Sequence, residues 1–165
     1  METYEVNDYP LDIYGLAYRI GLRLVPYSSL PSELQEILRM THPDAVTRAS
    51  TDWDIQSIAI FYNDAADYHR MRFSLAHEVG HIFLEHYDDN DVSEIEANLF
   101  ANYLLAPGPL VIRDSAFDTQ TISQDFDISY GCARVVLDRT INRLRCGRPM
   151  TKYENTIENL CHLNR

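Results

Sequence analysis

Ile13, Leu16, Ala17 and Ile20 recur at helical spacing with Gly21 as a stop, so the chain is predicted to open on a short helix over residues 11–20. Residues 22–26 alternate briefly and read as an edge strand closed by Pro26. Ser32-Glu-Leu-Gln35 has the form of a capping box and predicts a second helix reaching about Met40, followed by a turn-rich connection over 41–54. Ile58, Ile60 and Tyr62 alternate with Ser57, Ala59 and Phe61, which predicts a β-strand ending at the turn signal Asn63-Asp64. A long helix should run from about 67 to 85. After the acidic loop Tyr87-Asp-Asp-Asn-Asp91, helical period returns over 92–105 and is halted by Pro107-Gly108-Pro109. From about Thr121 a short helical piece ends near Phe126, Asp127-Ile128 turn the chain, and Ser129 caps a helix to about Arg145. Ala133, Leu137, Ile141 and Leu144 are its expected apolar stripe.

These elements predict a mainly helical α+β fold with a small sheet packed beside the 67–85 helix and a C-terminal helical, helix-turn-helix-like segment. We place the core at residues 1–112 and the C-terminal segment at 113–165, packed on it as one compact unit. The two C-terminal helices fit a helix-turn-helix outline; an ordinary αα-hairpin is the simpler reading. With 165 residues the chain is long enough for one real core, and no apolar run approaches the ~20 residues of a membrane span. The acidic N-terminus carries neither a basic region nor an apolar run, so a cytoplasmic location is expected. Cys132, Cys146 and Cys161 are odd in number and widely spaced, as reduced thiols would be.

The net charge of −11 is unevenly spread: residues 128–152 hold six basic side chains and a single acid, Asp138. An acidic body argues against a grip on nucleic acid. Arg134, Arg139, Arg143, Arg145, Arg148 and Lys152 form no single stripe, so a solvated face explains them better than phosphate contacts.

The chemistry lies in the predicted 67–85 helix. His77-Glu-Val-Gly-His81 places two imidazoles one turn apart on one face, where both reach a single ion, and Glu78 beside them is placed to take a proton from a water the ion activates. Two histidines packed in a helical core is the competing reading. A catalytic zinc usually takes a third protein ligand. The pattern H-E-x-x-H-x-x-G-x-x-H would need Gly at 84 and His at 87, but Leu84 and Tyr87 stand there, and His86 is out of phase. A carboxylate from the next helix is the alternative. Glu94 and Glu96 are two residues apart and point about 200° from each other, so one alone can face the ion. Glu94 shares its face with Ala97, Asn98 and Ala101, small or polar groups that allow close approach, and is favoured over Glu96. Asn98 could also hydrogen-bond a ligand histidine. Glu94 has a rival role too, since Asp91-Val-Ser-Glu94 matches an acidic capping box.

Arg72-Phe-Ser-Leu-Ala-His-Glu-Val-Gly-His-Ile-Phe-Leu84 followed by Glu94-Ile-Glu-Ala-Asn-Leu-Phe-Ala-Asn-Tyr-Leu-Leu-Ala-Pro107 closely resembles the ImmA/IrrE zinc metallopeptidases. That family's R-F-T-L-A-H-E-L-G-H leads to E-x-E-A-N-x-F-A-x-x-L-L-M-P. The resemblance is clear over about 55–110 and implies zinc (Zn2+) on His77, His81 and Glu94, with Glu78 as catalytic base. Ser74 replaces the usual Thr and Ala106 the usual Met; neither removes a ligand. The family implies narrow specificity and a protein substrate, a helix-turn-helix repressor encoded beside the peptidase on a phage or mobile element. Tyr68, His69 and Tyr103 are the candidate donors to a tetrahedral oxyanion. Two other functions remain in view: a DNA-binding regulator with a sensory or structural metal, and a module that binds a repressor without cutting it.

Overall fold

The computed structural model describes residues 6–49, 58–86, 88, 90–114 and 117–164. In chain order the elements are β1 (Asp8–Tyr9), α1 (Ile13–Arg19), β2 (Arg23–Pro26), a 3₁₀ turn (Tyr27–Ser29), α2 (Ser32–Thr41), β3 (Ala45–Ala49), β4 (Ile58–Tyr62), α3 (Tyr68–Phe83), α4 (Asp91–Leu105), α5 (Gly108–Asp114), α6 (Thr119–Phe126), α7 (Tyr130–Arg145), α8 (Lys152–Leu160) and β5 (His162–Leu163). The fold is mainly helical α+β, as expected. Backbone contacts divide it into two compact units, residues 12–101 and residues 1–11 with 102–165. The division read from the sequence, at 112/113, falls inside the second.

In the unit 12–101 a three-stranded sheet has the order β2-β4-β3. Central β4 buries Ile58, Ala59 and Ile60, which suits a strand covered on both faces. Edge strand β2 runs parallel to it, Arg23 opposite Ala59. Edge strand β3 runs antiparallel, with Thr47 opposite Ile60. β3 lies in the segment expected to be a turn-rich connection. Its Ala-Val-Thr-Arg-Ala sequence has only two β-branched residues, and pairing with β4 rather than local pattern makes it a strand. Residues 50–54 of that expected connection lie outside the described residues.

α3 starts where Asp67 accepts hydrogen bonds from the backbone N–H groups of His69 (3.0 Å) and Arg70 (3.3 Å). It buries Leu75, Ala76, Val79 and Gly80. The expected capping box at Ser32 does not form: Pro31 occupies the cap of α2 with no side-chain bond, and Gln35 donates instead to the carbonyl of Leu30 at 2.8 Å.

In the other unit β1 pairs parallel with β5. α6 is capped by Asp118 and starts at Thr119, two residues before its expected start; Asp127 turns the chain at φ 51° and Ser129 caps α7, as their sequence signals predict. The buried face of α7 is Ala133, Val136 and Thr140, while Leu144 is exposed, so the expected stripe is rotated. Thr140 turns inward because its hydroxyl is satisfied by the Val136 carbonyl at 2.9 Å. α8 opens on a capping box between Thr151 and Glu154, and Glu154 also receives the guanidinium of Arg143. Arg143, itself half-buried, is thereby paired to a buried carboxylate and is not simply part of a solvated basic face. No helix among the described residues is long and apolar enough to cross a membrane.

Candidate metal centre

One turn of α3 brings the Nε2 atoms of His77 and His81 within 2.9 Å of each other. From α4, Glu94 directs Oε2 to 3.5 Å from His77 Nε2 and Oε1 to 3.3 Å from His81 Nε2. Among the described residues these three form the one cluster of possible metal ligands. Tetrahedral zinc with bonds of about 2.0–2.2 Å spaces its donors about 3.3–3.6 Å apart. Each imidazole nitrogen has a Glu94 oxygen at such a spacing, Oε2 for His77 and Oε1 for His81, so the carboxylate straddles the pair, and the imidazole pair is a few tenths of an ångström tight. Two imidazoles and a carboxylate on a half-open cleft match the three-ligand set of a catalytic zinc, with one position left for water or substrate.

The close approach of α3 and α4 is set by Gly80. A Cβ there would stand 3.1 Å from Phe100 Cδ1 and 3.3 Å from both the Cα and the carbonyl oxygen of Ala97. Glycine on α3 and alanine on α4 therefore let the backbones meet, and Glu94, nearly one turn before Ala97, is delivered to the histidines.

The rival role of Glu94 is excluded by the way α4 begins. Asn90 supplies the cap, its Oδ1 accepting from the N–H groups of Val92 and Ser93, both at 3.0 Å. Asp91 is already helical, and the Glu94 carboxylate faces the histidines instead of the helix start. Glu96 points elsewhere, with Oε2 3.1 Å from His86 Nε2. His86 is outside the ligand cluster; its Nδ1 lies 3.2 Å from His81 Nδ1. Asn98 Oδ1 stands 3.2 Å from His77 Nδ1, the contact its spacing suggested.

Burial, then the neighbouring His77, push His81 below the ordinary imidazole value, against the opposing pull of Glu78 and Glu94. A neutral imidazole is the form that binds a metal.

Glu78 projects from the next position on α3 and accepts a hydrogen bond from the hydroxyl of Thr47 on β3 at 2.6 Å. Thr47 was not singled out in the sequence, because β3 itself was not. Its hydroxyl fixes one carboxylate oxygen and leaves the other free. Nearby Tyr27 donates to the carbonyl of His42 at 2.7 Å; burial, then the charges of Glu78 and Asp44, raise its hydroxyl to about 12. A cleft of about 770 Å³ opens over these groups, walled by β3 on one side and by α3 and Glu94 on the other. His42, at the end of α2, and Arg48, on β3, lie 3.2 Å apart along its edge. Tyr68, His69 and Tyr103, the expected oxyanion donors, do not line it. The Tyr103 hydroxyl is buried in the other unit, where desolvation and then Glu154 hold it well above the ordinary phenol value.

The family described as the IrrE N-terminal-like domain, Peptidase M78, matches residues 38–140. The chain belongs to this family. The match takes in β3, β4, α3 and α4, and so His77, Glu78, His81, Glu94 and Thr47, but not Tyr27. Membership in the IrrE N-terminal-like family makes this a peptidase-type domain with a possible metal site at His77, His81 and Glu94. No curated protein matches the chain.

Proposed function

We propose that the protein is a zinc-dependent endopeptidase of narrow specificity, working in the cytoplasm on a helix-turn-helix transcriptional repressor. The observation that carries the reading is the convergence of His77, His81 and Glu94 beside a Glu78 carboxylate already anchored by Thr47. Zinc, when bound, supplies Lewis-acid polarisation of the scissile carbonyl and makes a water acidic enough to attack near neutral pH. Glu78 takes the proton from the attacking water and passes it to the leaving amine, so that the same carboxylate acts as base and then acid. Thr47 holds that carboxylate in one rotamer through both transfers. The cleft of about 770 Å³ runs beside edge strand β3, and the net charge of −11 favours a basic, DNA-binding substrate.

Elemental analysis of the purified protein tests the metal, with about one zinc per chain expected in the parent and loss in Glu94→Ala. Absence of stoichiometric zinc in the parent after reconstitution would end the peptidase reading. Glu78→Gln should keep its zinc and lose cleavage of the repressor. If that variant relieves repression as well as the parent does, the protein acts by binding and not by proteolysis.

A further inference from the structure

Two residues that fall outside the ligand set are joined to each other directly behind one ligand. The C-terminus of α3 ends in a Schellman turn: Glu85 adopts φ 54°, its N–H donates to the Ile82 carbonyl at 3.2 Å, and the N–H of His86 reaches back to the His81 carbonyl at 3.0 Å. That turn folds the His86 ring against His81, with centroids 5.1 Å apart and Nδ1 facing Nδ1 at 3.2 Å. The far nitrogen, Nε2, meets Glu96 at 3.1 Å. The His86 side chain is 9% exposed, so its polar edges are committed to these two neighbours.

Two hydrogen arrangements compete at His81, whose Nε2 faces Glu94 Oε1 at 3.3 Å and whose Nδ1 faces His86. A carboxylate only accepts, so the hydrogen of neutral His86 sits on Nε2 and points to Glu96. His86 Nδ1 is then a lone pair, and it favours the His81 tautomer that donates from Nδ1 over the one that donates from Nε2 to Glu94. With its hydrogen on Nδ1, His81 presents a bare lone pair at Nε2, toward Glu94 and His77. Asn98 Oδ1 does the same for His77 through Nδ1. Two imidazole lone pairs and a carboxylate are thus turned to one point with no hydrogen between them, an arrangement that a cation relieves.

We infer that His86 and Glu96 are positioning residues that fix the tautomer and ring orientation of His81 for metal binding, through the chain Glu96–His86–His81. The inference rests on the metal-centre reading above and adds a second layer to it. Outer partners of this kind typically contribute 10–100-fold to metal affinity.

The test combines two readouts on the full chain. In ¹⁵N-labelled metal-free protein, at a pH where the imidazoles are neutral, long-range ¹H–¹⁵N spectra should show His81 protonated at Nδ1 and His86 at Nε2. In His86→Ala and Glu96→Ala the His81 hydrogen should redistribute toward Nε2. Chelator competition should give these two variants about 10–100-fold weaker zinc binding with the stoichiometry intact at saturating zinc. His86→Gln, whose amide oxygen still accepts from His81 Nδ1, should recover part of the loss. A general packing defect would instead lower the melting temperature of metal-free protein and would not be rescued by Gln. His81 carrying its hydrogen on Nε2 in the parent, or variants that bind zinc as the parent does, would overturn the inference. A parent that binds no zinc would defeat the metal reading alone, because the tautomer spectra still decide the relay.

Discussion

Substituting Gly80 probes how closely the two ligand-bearing helices must approach. In Gly80→Ala the new Cβ falls short of ordinary 3.4 Å contact by about 0.1–0.3 Å at three atoms, two of them in the backbone of Ala97. Phe100 can swing its ring, at the expense of the stacking on Phe83 with centroids 6.0 Å apart, but the Ala97 backbone moves only if α4 moves. Replacing a mid-helix glycine by alanine gains about 1 kcal/mol of helix propensity, while overpacking costs about 1–3 kcal/mol. The metal-free variant should therefore lose about 0–2 kcal/mol and remain folded. Metal binding is less forgiving, since ligand distances tolerate about 0.2 Å. Backing α4 away by a few tenths of an ångström withdraws Glu94 from His77 and His81, so zinc affinity should fall about tenfold in Gly80→Ala and further in Gly80→Val. The loss should approach that of Glu94→Ala as the added side chain grows. Zinc titration against a chromophoric chelator, with urea unfolding of the metal-free proteins alongside, measures both quantities. If Gly80→Ala binds zinc as tightly as the parent and its metal-free form is more stable, the contact with Ala97 does not set the position of Glu94.

Thr47→Val removes the hydroxyl that holds Glu78 while keeping the side-chain shape; kcat on a cleaved repressor should drop about tenfold with little change in KM, and zinc content should be unaffected. An unchanged kcat would remove Thr47 from the catalytic arrangement. Glu154, 5% exposed, carries the other pH-dependent element. Burial alone would raise its carboxyl, but hydrogen bonds from Arg143 and Thr151 outweigh it and hold the group below its ordinary value. Its contribution is then present above the unfolded-state value of about 4.3 and lost as pH falls through the lower folded value. Glu154→Gln should cost about 2–4 kcal/mol at pH 7 in urea unfolding, and the gap to the parent should narrow below about pH 4. A gap independent of pH would mean that the pair contributes packing and not charge.

The parts of the site that were legible in the sequence are those fixed by helical period. His77, Glu78 and His81 sit within one turn, and the choice of Glu94 over Glu96 rests on the 200° between them; the structure brings His77, His81 and Glu94 together because α3 and α4 are long helices. What was not legible depends on tertiary pairing. β3 carries too few β-branched residues to announce itself, so Thr47, its contact with Glu78 and one wall of the cleft were invisible until β4 supplied a partner. The His86 contact needed the positive φ of Glu85, a conformation signalled by glycine in most helix ends and absent from the sequence here. Cap assignments failed in a similar way: Ser32 and Asp91 each match a box pattern, but Pro31 and Asn90 occupy the cap positions. The capping box that does form, Thr151 with Glu154, lies in a tail where no element was predicted.

The ligands also differ in when they become available. His77 and His81 are brought together by local backbone geometry alone, so any state in which α3 is helical, however loosely the rest is arranged, offers a bidentate hook. Glu94 joins only after a second helix has docked across twelve residues of intervening chain, against Gly80. An ion captured early by the hook would then act as a template on which the later helix seats itself, and releasing it would begin from the same side, by α4 lifting away. If the cluster holds zinc as proposed, metal exchange would in that sense be a local unfolding event, its rate set by the opening of one helix and not by the chemistry of two imidazoles.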